Sequence, residues 1–498
     1  MKLTFIFSFL ITSFTFTQAE NKKPNIIFLF ADDQRADTIG AHGNPYIKTP
    51  HLDKMAREGL SFRKNYCAGS FSGAVCVSSR AMLMTGRHWM NIKTNHKSSD
   101  WNGIHLLPSR LKEKGNYKTH LVGKWHNGKK TLDQAFSTGT SVYMGGMADH
   151  TNFEVQDLHD GELLPPRHAG GFSSTVFADS AIKYIQSSND KQPFFLYVAL
   201  MAPHDTRNPP QSYRDYYYKN RPPLPQNYLP EHPFVNGPQT TQGRDESLAA
   251  WPRRKSDISD QLSEYYGLIT HLDEQVGRIL KALKNSEHAK NTIVVYTADH
   301  GLAMGSHGLL GKQNIYEQSM SSPLIVKGPN IPKNINNHSF TYIHDMYATL
   351  CDYAGISKPE NSDSVSLKPI ADGKVNSIRD SLFLPYKDCQ RSVNDGKWKL
   401  HIYPQIDHKL LFNLENDPYE MNNLAYDPTY KDKIQKMTTL MTQWRKDLND
   451  PHPIKVSNLG PKKPIYDNKN RHVDQWQPKW IRDKYFGGME YVGKSKKN

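Results

Sequence analysis

Three nearly unbroken apolar runs constrain the fold most: Asn25-Ile26-Ile27-Phe28-Leu29-Phe30, Phe194-Phe195-Leu196-Tyr197-Val198-Ala199-Leu200 and Thr292-Ile293-Val294-Val295-Tyr296-Thr297. Each has the length of a strand and lacks the polar alternation of a sheet with one wet face. They read as strands buried on both sides, the form that parallel sheets require. Helical patterns lie between them. The clearest covers 256–284, where Leu262, Tyr266, Ile269, Asp273, Val276, Leu280 and Leu283 recur at steps of three and four. Asp273 falls on that apolar stripe and is expected at its edge. Alternating strands and helices predict an α/β sandwich, a mostly parallel central sheet between helices.

At 498 residues the chain can bury a deep core without a disulfide framework. Its four cysteines, Cys67, Cys76, Cys351 and Cys389, do not make a stapled scaffold. Residues 1–19 read as a secretory signal, with Lys2 ahead of the apolar stretch from Leu3 to Phe16 and small residues at the cleavage position. The stretch is too short and interrupted to span a bilayer, and no other long apolar run follows. The mature chain is therefore expected to be exported, periplasmic or secreted. Its net charge of +14 suits a polyanionic partner. No nucleic-acid-binding pattern accompanies the charge.

The main body is expected over 20–370. Within it, 206–252 turns rich in Pro, Tyr, Asn and Gln, which reads as a wall beside the substrate or as a surface excursion. Shorter strand patterns follow: Ser381 to Leu384, Arg391 to Val393 with an Asn394-Asp395-Gly396 turn, Trp398 to Ile402 and Leu410 to Leu414. With a helix near Tyr430 to Leu448 they predict a C-terminal α/β subdomain with an antiparallel sheet, 371–450. The basic, aromatic remainder, 451–498, reads as a solvated tail or as an arm over the cleft.

Asp32-Asp33 and Asp299-His300 each follow a core strand directly. Ligand groups of open α/β sheets gather at such carboxyl ends, and oxygen-rich sets suit hard cations. Either pair alone would read as a cap or turn; together they point to metal. Lys124 and His126 are two apart, hence on one side of an extended segment. His204 lies just past the second apolar run, and Lys312 follows a stretch containing Gly305, His307 and Gly308. Cys76 stands four residues ahead of Arg80 and runs into Thr85-Gly86-Arg87. Alone, such a cysteine would be a small buried hydrophobe.

In this order, the segments Asn25 to Asp33, Cys76 to Arg87, Gly123 to His126, Pro203-His204, Asp299-His300-Gly301 and Gly311-Lys312 resemble the formylglycine-dependent (type I) sulfatases of the alkaline phosphatase superfamily. The likeness runs from about Lys23 to Leu424. It includes Gln390-Arg391-Ser392, Asp395 to Lys399, and Leu411 to Pro418. The resemblance implies an alkaline-phosphatase-like fold and a Cys76 converted by a maturation enzyme to formylglycine, whose hydrate attacks sulfate esters. It implies calcium (Ca2+) held by Asp32, Asp33, Asp299 and His300 together with the oxygen at position 76. It assigns Arg80 and His126 to the formylglycine hydrate, and Lys124, Lys312 and His204 to the sulfate. Ser78 stands where many members carry Pro or Ala, which bears on the maturation step. His300 stands where Asn is common.

The chemistry is coherent. Fixed cations and a metal both bind a sulfate ester and shield it from the nucleophile's charge. His204, with Lys312 as alternative, is the candidate acid for the leaving group. Arg35, His42, Trp89, Arg207 and His307 lie near the motifs and could line the substrate pocket or serve packing. A sulfated polysaccharide or oligosaccharide is the expected substrate. The competing readings are a phosphatase or phosphodiesterase of the same superfamily, and a non-catalytic glycan-binding protein.

Overall fold

The computed structural model describes residues 22–92, 101, 103–189, 191–471 and 473–491. The expected signal segment, 1–19, lies outside the described residues. A twelve-stranded mixed sheet forms the main body. At its centre the strands Thr292–Ala298, Asn25–Ala31, Phe194–Ala199, Lys118–Lys124 and Thr138–Tyr143 lie side by side and parallel. All three apolar runs are thus central strands, and every residue of Asn25–Ala31 is buried.

Successive side chains of a strand point to opposite faces. Phe28 and Phe30 pack with Phe195 and Tyr197 on the face covered by the helix Val75–Thr85. Ile27 and Leu29 pack with Leu196 and Val198 on the other, against Phe177 and Ala178 of Ser173–Ser187 and Leu272 and Val276 of Lys255–Lys284. Antiparallel strands, Leu324–Lys327 and Glu154–His159, flank the parallel block.

Asp273 is not at the edge of its stripe. It is 1% exposed, and its carboxylate accepts the backbone N–H groups of His51 (3.1 Å) and Leu52 (2.7 Å). These belong to the first turn of the helix Pro50–Arg57, whose preceding residue Thr49 offers no side-chain cap. The apolar stripe holds an acid because it satisfies orphan donors of a neighbouring helix.

The second sheet is antiparallel, with four strands in sequential order: Leu382–Tyr386, Gln390–Asn394, Trp398–Tyr403 and His408–Asn413. Met437 and Met441 of the helix Lys431–Asp447 pack on Phe383, Val393, Leu400 and Leu411. Beyond it the chain packs back onto the main body. The helix Lys479–Phe486 buries Ile481, Tyr485 and Phe486 among Tyr217, Leu248, Tyr265 and Ile269. No described helix is long and apolar enough to cross a membrane. All four cysteines are free and buried.

Candidate active site

Cys76 lies in the first turn of the helix Val75–Thr85, which has no side-chain cap at Ala74 and ends on left-handed Gly86. An anionic side chain in a first turn faces the positive end of the helix dipole. The Cys76 Sγ is 3.2 Å from His126 Nδ1. Burial would raise the thiol, but His126 and Lys124 beside it hold it well below the ordinary thiol value. Arg80, one turn along on the same face, donates to the Lys124 carbonyl (3.0 Å) and lies over the Phe30 ring at 4.9 Å. Its Nη2 is 3.8 Å from Asp32 and 3.6 Å from Asp299. Ser79 donates to the Asp299 carbonyl at 2.7 Å, tying the helix to the end of the neighbouring strand. Ser78 turns away, to Ser70 Oγ at 2.7 Å.

The two central strands end level, with Ala31 opposite Ala298, so Asp32-Asp33 and Asp299-His300 emerge side by side. The Asp33 N–H donates to Asp299 Oδ1 at 2.9 Å. Carboxylate oxygens of Asp32, Asp33 and Asp299 lie within 4.8 Å of one another, as do ligand atoms of Cys76, Asp299 and His300. Burial and the Asp32 charge push Asp299 well above the carboxylate range. For Asp32, burial works upward, but Lys124, His204 and Arg80 win and hold it low.

His300 points most clearly to a cation-binding role for this set. Its Nδ1 donates to the Gly301 carbonyl at 2.9 Å, an assignment made from that partner. Nε2 therefore carries the lone pair of the neutral ring, yet it sits 3.5 Å from Asp33 and 3.6 Å from Asp299. An acceptor facing two acidic side chains fits a cation held between them. Burial works downward on the imidazole, but Asp299, Cys76 and Asp33 together outweigh it and lift it to about 9. His300 Nε2, Asp32 Oδ1 and Asp299 Oδ2 are buried without hydrogen-bond partners. This oxygen-rich set fits a hard divalent cation, with His300 its least natural ligand.

The cations surround that set. Lys124 ends the strand Lys118–Lys124 and pairs with Asp32. Lys312 donates to both oxygens of Asp33 at 2.8 Å and to His204 Nε2 at 3.0 Å. Lys124 and His126 both face the site, His126 at Cys76 and Lys124 at Asp32, but not along an extended segment as expected. The strand stops at Lys124 and His126 is left-handed, with φ 66°. Gly123 makes the approach possible. Its φ is 88°, and a Cβ there would meet the Ala199 carbonyl at 2.1 Å.

Asp32, Asp33, Cys76, Arg80, Lys124, His126, His204, Asp299, His300 and Lys312 are thus brought together. Arg35, Arg207 and His307 are not part of this contact network. The Arg35 guanidinium is spent on Asp37 and on the Leu302 and Ala303 carbonyls. Arg207 is buried against Gln261. His307 stacks on Tyr316 at 3.9 Å and meets Asn227 Nδ2 at 3.1 Å. Two acids missed in the sequence do reach the site. The carbonyl of Asp205 accepts from His204 Nδ1 at 2.8 Å, with its carboxylate 3.3 Å away. Asp245 Oδ2 lies 3.9 Å from Lys312 and accepts from Gln313 at 2.8 Å. Adjacency to His204 was a signal for Asp205; Asp245, in the 206–252 stretch rich in Pro, Tyr, Asn and Gln, gave none.

Known proteins resemble this chain over most of its length. The sulfatase family model matches residues 24–356, and that of the N-sulphoglucosamine sulphohydrolase C-terminal region matches 305–447. The chain is 25% identical to an N-acetylglucosamine-6-O-sulfatase of Bacteroides thetaiotaomicron, over 87% of this chain and 88% of that protein. It is 27% identical to an arylsulfatase of Clostridium perfringens, over 84% and 94%. A solved structure of a protein in complex with its substrate D-glucosamine-2-N,6-O-disulfate superposes with a TM-score of 0.75 at 23% identity, over 87% of this chain and 99% of that one, and so shares the fold. With a family match over most of its length and with the site at the strand ends inside it, this chain belongs to the type I sulfatase family and is a sulfuric ester hydrolase.

Proposed function

We propose that this enzyme is exported and hydrolyses sulfate esters of a sulfated sugar, using calcium and a formylglycine derived from Cys76. The carrying observation is the buried His300 Nε2 facing Asp33 and Asp299 beside Cys76, with cationic Arg80, Lys124 and Lys312 around them. The named sugar substrates of the relatives and the net charge of +14 support a polyanionic carbohydrate. The signal-like residues 1–19 support export, and Cys76 implies a maturation enzyme as partner.

In this reading Asp32, Asp33, Asp299 and His300 hold calcium, and Cys76 Sγ stands in for the formylglycine oxygen. The ion supplies Lewis acidity at the sulfate and favours the ionised nucleophile. A formylglycine hydrate at position 76 would offer one hydroxyl for attack and a second for the release of sulfate. The chain's own groups do the rest. Arg80 orients position 76 from one helical turn away. His126, whose Nδ1 is 3.2 Å from Cys76 Sγ, takes the proton from the second hydroxyl. Lys124 and Lys312 neutralise the sulfate oxygens as negative charge shifts toward the leaving group. His204 and Lys312, in contact at 3.0 Å, share the proton that the departing alkoxide needs.

Sulfate release from N-acetylglucosamine-6-sulfate, N-acetylgalactosamine-6-sulfate and 4-nitrophenyl sulfate, measured by ion chromatography with calcium present, tests the reading. Release from at least one sugar, lost on chelation, is expected. Hydrolysis of phosphate diesters with no sulfate release would favour the phosphodiesterase reading instead.

A further inference from the structure

We infer that Asp474, in the C-terminal extension, is a positioning residue for protonation of the leaving group, acting through Arg244 and Asp205 on His204. The inference rests on the role proposed above for His204. Asp474 lies beyond residue 447, where the family matches end. It is nonetheless 6% exposed and joined to the site by an unbroken chain of polar contacts. Its Oδ2 accepts from Arg244 Nε at 2.9 Å, and its Oδ1 accepts the Trp476 N–H at 2.9 Å, which fixes the carboxylate plane. The other edge of the Arg244 guanidinium grips Asp205 with both terminal nitrogens, Nη1 at 2.7 Å from Oδ1. Asp205 in turn holds His204 Nδ1 through its carbonyl and faces it with its carboxylate.

Arg244 has a competing partner. Asp245 Oδ1 is 3.1 Å from its Nη1. A planar guanidinium binds carboxylates edge-on in a fixed fork. Asp474 occupies the Nε edge and so commits the terminal edge to Asp205. Without Asp474 the fork can turn toward Asp245, and the Asp205 carboxylate loses its clamp. His204 would then be less well held against the departing oxygen, while Lys124, paired with Asp32 away from these groups, would still bind the sulfate. A small misplacement of an acid is costly in rate because proton transfer needs hydrogen-bond reach.

The test uses leaving groups of different need. An aryl sulfate such as 4-nitrophenyl sulfate expels a stable phenolate without protonation, whereas a sugar alkoxide requires the proton. In the full-length mature enzyme, Asp474→Ala is expected to lower kcat on the sugar sulfate by about tenfold or more. KM should be little changed, and hydrolysis of 4-nitrophenyl sulfate should stay within about twofold of the unaltered enzyme. Asp474→Asn, which keeps an acceptor for Arg244, should recover much of the loss. Asn468→Ala loosens the same arm at Trp251, whose N–H its side chain accepts at 2.8 Å, without touching Arg244; it should leave the sugar-to-aryl ratio unchanged. Equal losses on both substrates, no loss, or the same ratio change in Asn468→Ala would overturn the inference while leaving the sulfatase reading intact. An unaltered enzyme that releases sulfate from none of these esters would overturn both.

Discussion

The Sγ of Cys76 lies 3.2 Å from Nδ1 of His126, although the two residues come from a helix on one side and from the end of a central strand on the other. The contact gives His126 a defined target, the group at position 76. Replacing His126 by Ala should lower kcat by about 10² or more while KM changes little. Steady-state kinetics on 4-nitrophenyl sulfate check this; a raised KM at constant kcat would make His126 a binding residue instead.

The crowded oxygens of Asp32, Asp33 and Asp299 predict stabilisation by calcium as well as activation. A ligand that binds only the folded state at a hundred times its Kd adds about 2.7 kcal/mol of stability. The melting temperature of chelated enzyme should therefore rise with added calcium. The rise should vanish in Asp32→Ala and Asp299→Ala, which would also lack the metal by elemental analysis. An unchanged melting curve in the unaltered enzyme would remove calcium from the account.

Gly123 should tolerate no side chain. Its φ of 88° already disfavours one, and an added Cβ would lie 2.1 Å from the Ala199 carbonyl. Gly123→Ala is expected to cost about 1–3 kcal/mol in backbone strain and more through displacement of the strand. Urea unfolding would show this as a lowered midpoint, with activity falling because Lys124 moves with the backbone.

Asp273 links pH to stability. Burial lifts its carboxyl to about 7, with nearby Asp53 and Glu274 adding to the rise, against the two N–H bonds from Leu52 and His51 that work downward. Its unfolded value is about 3.9. Between these values the folded chain keeps a proton that the unfolded chain has released, so stability falls as pH rises from about 4 to 7. Asp273→Asn should flatten that dependence, and Asp273→Ala should cost about 1–2 kcal/mol by leaving the donors unpaired. Denaturant midpoints across this pH range check both.

Much of this was legible in the sequence because the determinants are local. Apolar runs such as Ile26 to Phe30 have the length and the β-branched and aromatic content of buried strands, which puts the acids that follow them at strand ends. Cys76 and Arg80 are one helical turn apart in any helix. The rest depends on what the chain brings together from a distance. Nothing in the spacing of Asp205, Arg244 and Asp474 announces that they meet, and no periodicity marks Asp245. Arg35, Arg207 and His307 stand apart from the network because carbonyls, Gln261 and an aromatic face hold them, which proximity to motifs does not show. Asp273 was misplaced because periodicity shows which face is buried and not which neighbouring donors need an acceptor.

The proposed chemistry stands or falls with the conversion of Cys76 to formylglycine. Its most direct test is the mass of the tryptic peptide from Asn65 to Arg80, taken from enzyme made in a host that matures sulfatases. Cys67, in the same peptide, serves as an unmodified thiol for comparison. An aldehyde or its hydrate at position 76, with Cys67 intact, is the predicted result. An unmodified thiol at Cys76, under conditions that convert a control sulfatase, would contradict the mechanism proposed here.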